Sequence, residues 1–191
     1  MQSLITSLRI AVATMLVCVG GYTLVILGIA QLATPETANG SLLQRSDRTI
    51  VGSRLIAQKF EQPRYFWPRP SAVDYNAAGA GGSNKSPTSP ELTERAAELV
   101  ARYGATVGNP LPADLAAASG GGLDPHITER AALYQAERVA RERGFPCEDV
   151  EALISKLAFS PGGPLTPERV VNVLELNLAL DEAAATTAAL R

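Results

Sequence analysis

The sequence predicts an α+β soluble domain carried on a single N-terminal transmembrane α-helix. A long apolar run without charges lies near the N-terminus, and after it short runs of strand character alternate with capped, amphipathic helices. With 191 residues, 46% of them hydrophobic and 19% charged, the chain has room for one domain with its own core. We expect a short N-terminal tail at residues 1–9, a transmembrane helix at 10–33 and the soluble domain at 34–191.

The apolar run extends from Ile10 to Ala33, which is 24 residues without a charged side chain. As a helix it measures about 36 Å, enough to cross a hydrocarbon layer of about 30 Å. A cleaved secretory signal is the alternative, because Gly28-Ile29-Ala30 has the small-x-small pattern of a cleavage site. The apolar core of such a signal is usually only about 7 to 15 residues long, so we expect a retained anchor.

The flanks of this run predict its orientation. Arg9 precedes the run, whereas the first basic residue after it is Arg45. Because basic residues favour the cytoplasmic side, we expect a cytoplasmic N-terminus and an extracytoplasmic domain. Gly20-Gly21, near the middle of the run, would let another helix approach closely.

The composition of the domain excludes several classes of function. Residues 34–191 carry 16 basic and 19 acidic side chains, net −3, without a basic run that could follow a row of phosphates, so nucleic acid is not an expected partner. Cys18 lies in the span and Cys147 in the domain, which makes a disulfide between them implausible. One histidine, one cysteine in the domain and no visible carboxylate cluster predict no metal site.

The first part of the domain reads as a hairpin followed by irregular chain. Residues 41–44 and 49–51 are strand candidates on either side of a polar turn at 45–48. Prolines then exclude long regular structure at 63–70, yet Tyr65, Phe66 and Trp67 are too apolar for a solvated loop. We expect these aromatic residues in the core, and a linker at 76–90.

Three helices are predicted from their caps and apolar stripes. The first begins at Ser89-Pro90-Glu91 and ends at Gly104, the second runs from Thr128-Glu129 to Gly144, and the third covers 148–157 before the Pro/Gly stop at 161–164. The residues of the first helix that fall on one face are Leu92, Ala96, Leu99, Val100 and Tyr103. The stripe of the second helix that is expected to be buried consists of Ala132, Leu133, Ala136, Val139 and Ala140.

The last apolar run, residues 171–180, is ambiguous. It alternates like a strand, although Thr166-Pro167-Glu168 before it could equally begin a helix, and we predict a strand. Asn172 and Asn177 lie within this run, where buried amides need partners either in neighbouring backbone or in a second chain.

Two partial motifs suggest chemistry. Residues 79–86 approach the phosphate-loop pattern, but Asn84 stands where the pattern needs glycine and no apolar strand precedes it, so a surface loop is expected. Ser119, Asp124 and His126 contain the residue types of a hydrolase triad, which makes a membrane-anchored hydrolase using Ser119 and His126 the alternative function. No nucleophile elbow surrounds Ser119, so the preferred interpretation is a sharp turn, with either Asp124 or Thr128 capping the next helix, and no catalytic residue is expected.

The order of unusual motifs along nearly the whole chain is more specific than any of these. The positions that carry it are Gly52, Ser53, Gln58, Phe60, Tyr65, Phe66, Arg69, Pro70, Ser71, Gly81, Gly82, Ser83, Asn84, Ser119, Gly120, Gly122, Leu123, Asp124, Pro125, His126, Gln135, Arg138, Asn172 and Asn177. With the N-terminal anchor before them, these motifs closely resemble the C subunit of the bacterial Kdp potassium-transporting ATPase.

The resemblance implies a non-catalytic accessory subunit of a high-affinity, ATP-driven potassium uptake complex in the bacterial inner membrane. Its implied partners are a P-type ATPase subunit that hydrolyses ATP, a channel-like subunit that passes potassium, and the lipid bilayer. It also implies a catalytic chaperone that raises the ATP affinity of the hydrolysing subunit, with nucleotide binding of its own. An extracytoplasmic domain would not meet cytoplasmic ATP, so we expect ATP only through the complex.

Overall fold

The computed structural model describes residues 2–45, 47–166 and 168–189. A continuous helix, Gln2–Ala33, stands first and consists of α1 (Gln2–Met15), a π-helical turn (Leu16–Gly21) and α2 (Tyr22–Ala33). Its mean hydropathy reaches 2.3 over an 18-residue stretch, and its length and composition suit a membrane span. The π turn coincides with Gly20-Gly21, where glycine permits a locally looser helix.

A short helix and a hairpin follow the apolar helix at once. Helix α3 (Pro35–Ala38) leads into strands β1 (Leu42–Gln44) and β2 (Ile50–Ser53), which pair antiparallel. The predicted hairpin is therefore confirmed, although its second strand continues two residues beyond the predicted end at residue 51.

The chain from 54 to 89 is irregular and passes through the core once. Phe66 is fully buried and Trp67 is 7% exposed, which confirms that the aromatic cluster packs inside. Helix α4 (Pro90–Tyr103) then ends at Gly104 in the left-handed conformation, as predicted. The face predicted for this helix is half-buried except at Val100, which is 43% exposed because it lies about 100° around the helix from Leu99, at the edge of that face.

The second half of the domain packs four helices around a two-stranded sheet. Helix α5 (Ala113–Ala116), strand β3 (His126–Thr128), helix α6 (Glu129–Arg143) and helix α7 (Cys147–Leu157) follow in order. The Thr128 hydroxyl accepts the Ala131 N–H at 3.0 Å, which confirms the predicted cap of α6. The buried stripe of α6 includes Ala131 and Gln135 but not Leu133, which is 41% exposed on the adjoining face, so that part of the prediction is wrong.

The predicted strand at 171–180 is wrong for most of its length. Only β4 (Val170–Asn172) is extended, antiparallel to β3, and α8 (Val173–Ala189) begins directly after it. The Asn172 carboxamide oxygen accepts the Leu174 and Glu175 N–H groups at 3.1 and 3.2 Å, which starts the helix. The start of α8 is covered on several sides and is apolar nearly all round. Its sequence therefore lacks the repeat of apolar and polar residues that marks an amphipathic helix.

The core lies where α6, α7 and α8 meet the β3–β4 sheet and the irregular segment around residue 66. Its fully or almost fully buried members include Phe66, Leu115, Ile127, Val139, Ile154, Val171, Leu176 and Leu180.

Candidate functional site

Two buried side-chain amides hold the backbone of Phe66 and Trp67 in the core, an arrangement that we name the amide clamp. The Asn177 amide accepts the Phe66 N–H at 2.8 Å and donates to the Phe66 carbonyl at 3.1 Å. The Gln135 amide does the same for Trp67, at 2.9 and 3.1 Å. Both amides are at most 2% exposed, so α6 and α8 supply a buried extended segment with the hydrogen bonds that a neighbouring strand would otherwise provide.

Asn172 has a comparable role at the start of α8. Besides capping that helix, its amide nitrogen donates to the Arg54 carbonyl at 2.8 Å. The amides of Asn172 and Asn177 therefore bind backbone of the same chain, one of the two alternatives left open by the sequence.

Two arginines enclose the indole of Trp67. The guanidinium carbons of Arg102 and Arg138 lie 4.0 and 3.7 Å from the ring centre, in the geometry of a cation–π interaction. Arg138 also donates to the Gln135 carboxamide oxygen at 2.7 Å and to the carbonyls of Pro63 and Tyr65. Burial lowers the pKa of Arg138 to about 10, so it remains a cation at neutral pH and closes the outer side of the amide clamp.

Asp181 joins three parts of the fold. Its carboxylate accepts from Arg143 at 2.9 Å and from the Tyr65 hydroxyl at 3.2 Å, and it lies 4.0 Å from the guanidinium of Arg45. The Arg143 side chain is only 5% exposed, so this pair is shielded from solvent. Helix α8 is thereby tied to α6, to the aromatic segment and to the β1–β2 hairpin.

The glycine-rich turn at 119–122 packs against the segment around Ser71 and Gly81. The Gly81 N–H donates to the Gly121 carbonyl at 2.9 Å, and the Ser71 hydroxyl donates to the Gly122 carbonyl at 2.7 Å. A Cβ at Gly82 would lie only 2.7 Å from the Gly120 carbonyl oxygen. Gly82 and Gly122 are the positions where a Cβ would collide, so these two glycines allow the two segments to approach closely.

The three candidate triad residues do not form a relay. The Ser119 hydroxyl lies 3.5 Å from the Asp124 N–H, its hydrogen-bond donor, and within the residues that the structure describes no hydrogen bond joins Ser119 to His126. Asp124 accepts the His126 N–H at 3.0 Å and lies 3.5 Å from His126 Nδ1. The residues form a turn that leads into β3, which agrees with the preferred sequence interpretation.

Asp124 also binds Arg69, at 3.0 Å. Partial burial raises the pKa of Asp124, but the hydrogen bonds from His126 and Arg69 lower it by more, so the pKa lies below its usual 3.8. This carboxylate is therefore charged at neutral pH and acts as an acceptor that organises the turn. Neighbouring motif carbonyls also bind backbone: Leu123 accepts the Ala57 N–H and Pro125 accepts the Val173 N–H, each at 3.0 Å.

The loop at 79–86 does not have the geometry of a phosphate site. Asn84 adopts a left-handed conformation with φ +49°, and the next helix, α4, starts only at Pro90. Lys85 donates to Glu91 at 2.9 Å, so its charge is met by a carboxylate. In the described ranges, no group of three or more histidine, cysteine or acidic side chains could hold a metal ion.

Sequence reasoning missed a compact joint between the apolar helix and the domain. Gln31, in the last turn of α2, and Asn39 exchange amide hydrogen bonds at 3.1 and 3.3 Å. Arg54, directly after β2, pairs with Glu36 of α3 at 3.4 Å and with Glu175 of α8. We name these five residues the joint. An amide pair eight residues apart and an ion pair across 121 positions leave no periodic signal in the sequence.

Comparison with known proteins gives a consistent result. The family described as "K+-transporting ATPase, c chain" matches residues 4–182. A protein of Parvibaculum lavamentivorans named potassium-transporting ATPase KdpC subunit is 63% identical over 181 residues, covering 95% of this chain and 97% of that protein. Its namesake from Pseudomonas aeruginosa is 47% identical over 177 residues, covering 91% and 95%.

Proposed function

This chain belongs to the family of K+-transporting ATPase c chains, and from that premise we propose that it assembles and stabilises its complex without catalysing a reaction. As a member of this family it is an accessory subunit of a potassium uptake complex, anchored in the membrane. In our proposal, its helix packs beside a channel-like subunit and its domain docks on the outer face of that subunit. Contact with the P-type ATPase subunit then raises the affinity of that subunit for ATP.

The observation that carries the proposal is how the motif side chains are used. Gln135, Asn177 and Ser71 bind backbone of their own chain, and Asp124 organises a turn. Residues engaged in this way fix the shape of the domain surface, which is what a docking subunit needs. The apolar helix, by contrast, has no buried residue along its whole length and is free to meet lipid and other helices.

The effect on ATP affinity is proposed to act through protein contact. Lys85 is paired with Glu91, and Gly82 and Gly122 let the segment at 81–82 and the turn at 119–122 pack on each other. These roles favour an indirect action, in which the docked domain stabilises one conformation of the ATPase subunit. By linkage, a partner that binds the ATP-competent conformation better raises its ATP affinity by the same free energy.

Deletion of residues 1–33 is expected to abolish assembly. Without the apolar helix, the domain should no longer co-purify with the other subunits, and the KM of the remaining ATPase for ATP should rise. A second variant, with the apolar run replaced by an unrelated apolar helix, separates tethering from specific helix packing. Co-purification and ATP hydrolysis measure the outcome, and an intact, active complex with the deletion variant would refute the proposal.

The orientation is testable through Val107, which is fully exposed in a turn of the domain. In a Cys18→Ser, Cys147→Ser background, we expect Val107→Cys to react with an impermeant thiol reagent in intact cells. Gln2→Cys should react only after permeabilisation, since Arg9 favours a cytoplasmic N-terminus. The reverse pattern would place the domain beside cytoplasmic ATP and would make direct nucleotide binding credible.

A further inference from the structure

The β1–β2 hairpin has an apolar face that the domain leaves uncovered. Leu42, Ile50 and Leu55 are 45%, 56% and 56% exposed, whereas Leu43 and Val51 turn towards the domain and are half-buried. Leu42 and Ile50 belong to the hairpin and Leu55 lies two residues after its second strand, so three exposed aliphatic side chains occur within one short segment. Such a segment calls for a partner or an apolar environment.

The hairpin is held close to the end of the apolar helix. The Ser41 N–H donates to the Glu36 carbonyl and the Arg54 N–H donates to the Ser41 carbonyl, both at 2.9 Å. With the amide pair between Gln31 and Asn39, these bonds fold the connection back on itself. The hairpin therefore starts within about two helical turns, roughly 10 Å, of the point where the helix leaves the apolar layer.

Arg48 is the cation that the hairpin can offer to a partner. Arg45 lies 4.0 Å from the Asp181 carboxylate, and Arg54 pairs with Glu36 and Glu175, so carboxylates of the rest of the chain meet these two charges. Arg48 is exposed and has no side-chain partner among the residues with described positions.

We propose that the outer face of this hairpin lies in the headgroup layer of the membrane and binds anionic lipid headgroups. Leu42, Ile50 and Leu55 enter the boundary between headgroups and acyl chains, as the apolar faces of interfacial elements do. Arg48 binds the phosphates through charge-assisted hydrogen bonds. The inference goes beyond the proposed function and rests only on the membrane-spanning helix and the joint.

The test uses a fluorescent label on Ile50→Cys, in a Cys18→Ser, Cys147→Ser background of the full chain. The chain is reconstituted into vesicles of phosphatidylcholine, or of phosphatidylcholine with about a third phosphatidylglycerol, to give a surface potential of the magnitude found in cells. A nitroxide on the lipid headgroup quenches a label that lies in the headgroup layer. We expect quenching in both vesicles and stronger quenching where phosphatidylglycerol is present.

Arg48→Ala should lower the preference for phosphatidylglycerol about fivefold, the change expected for one basic residue near an anionic surface. Lys156→Ala is the matched control, since it removes one exposed charge from α7, a helix that packs mainly on α6. Arg48→Lys should retain most of the preference.

Three outcomes would overturn the inference. An unquenched label in both vesicles would place the hairpin away from the membrane. Equal quenching with and without phosphatidylglycerol would show that the hairpin does not bind anionic headgroups. A label that is unquenched in the isolated chain but shielded from a soluble quencher in the assembled complex would show that a partner subunit covers this face.

Discussion

Asn177→Leu is expected to destabilise the domain by about 2 to 5 kcal/mol, because it leaves the N–H and the carbonyl of Phe66 buried without partners. Each such group costs about 1 to 3 kcal/mol. Leucine has a similar volume, so the loss reflects missing hydrogen bonds more than a cavity. The only tryptophan, Trp67, is the next residue in the amide clamp, and its fluorescence during urea unfolding of the full chain in detergent measures the change.

Asn109→Leu is the matched control for this prediction. Asn109 is exposed, and its side chain has no hydrogen-bond partner in the described segments of the chain. The same substitution there should change the free energy of unfolding by no more than about 0.5 kcal/mol. A loss below about 1 kcal/mol for Asn177→Leu would mean that water reaches the Phe66 backbone, and the amide clamp would then not account for the burial of this segment.

The sequence revealed those parts of the fold that depend on local signals. The apolar helix, the Thr128 cap and the left-handed stops at Gly104 and Gly144 each rest on residues close together in the chain. Burial of Phe66 was predictable as well, since a run of aromatics between prolines has few other stable environments.

The wrong prediction at 171–180 has a definite cause. A buried helix that is covered on several sides has no polar face, so its sequence carries no period of 3.6 and can alternate by chance. The decisive signal was Asn172, which directly precedes α8. Its carboxamide oxygen caps the helix by accepting the N–H groups of Leu174 and Glu175. Asparagine is favoured at the N-cap of helices, so Asn172 could have marked the start of a helix. The sequence interpretation treated it only as a buried amide.

The amide clamp and the joint could not be predicted, because both depend on partners far apart in the chain. Asn177 and Phe66 are separated by 111 positions and Arg54 and Glu175 by 121. Only the tertiary fold brings such groups together, and local patterns do not record it. The resemblance marked Gln135 and Asn177 as motif residues without giving their physical role, and the structure supplies that role as hydrogen bonds to buried backbone.

The amide clamp and the joint together connect the apolar helix to the core of the domain, which suits a subunit that assembles a complex. Arg54 connects α3 to α8, and α8 contributes Asn177 to the amide clamp and Asp181 to the ion pair with Arg143. The contacts of the joint lie at the surface, since the side chains of Arg54 and Glu36 are 46% and 65% exposed, whereas Asn177 and Arg143 hold α8 from inside the domain. The joint therefore connects the apolar helix to the same helix, α8, that the buried contacts fix in the core.

The turn at 119–122 is the second place where a substitution should strongly lower the stability of the domain, because there is no room for a Cβ at Gly122. Gly122 has φ +70°, a conformation that costs a residue with a Cβ about 1 to 2 kcal/mol. A Cβ there would lie 2.6 Å from Val73 Cγ2 and 3.0 Å from both the Gly81 carbonyl oxygen and the Ser71 hydroxyl. At least one of these contacts is to backbone, which cannot move without disturbing the packed segment.

Gly122→Ala is therefore expected to destabilise the domain by about 2 to 5 kcal/mol, the sum of the left-handed cost and the overpacking. Gly121→Ala, one residue earlier, is the control: its φ is not positive and a Cβ there would meet nothing within 4 Å. Urea unfolding followed by Trp67 fluorescence compares the two variants, and co-purification with the other subunits tests whether the shape of the turn matters for assembly. Equal stability of both variants would show that the turn opens at little cost and that its glycines are not needed for close packing.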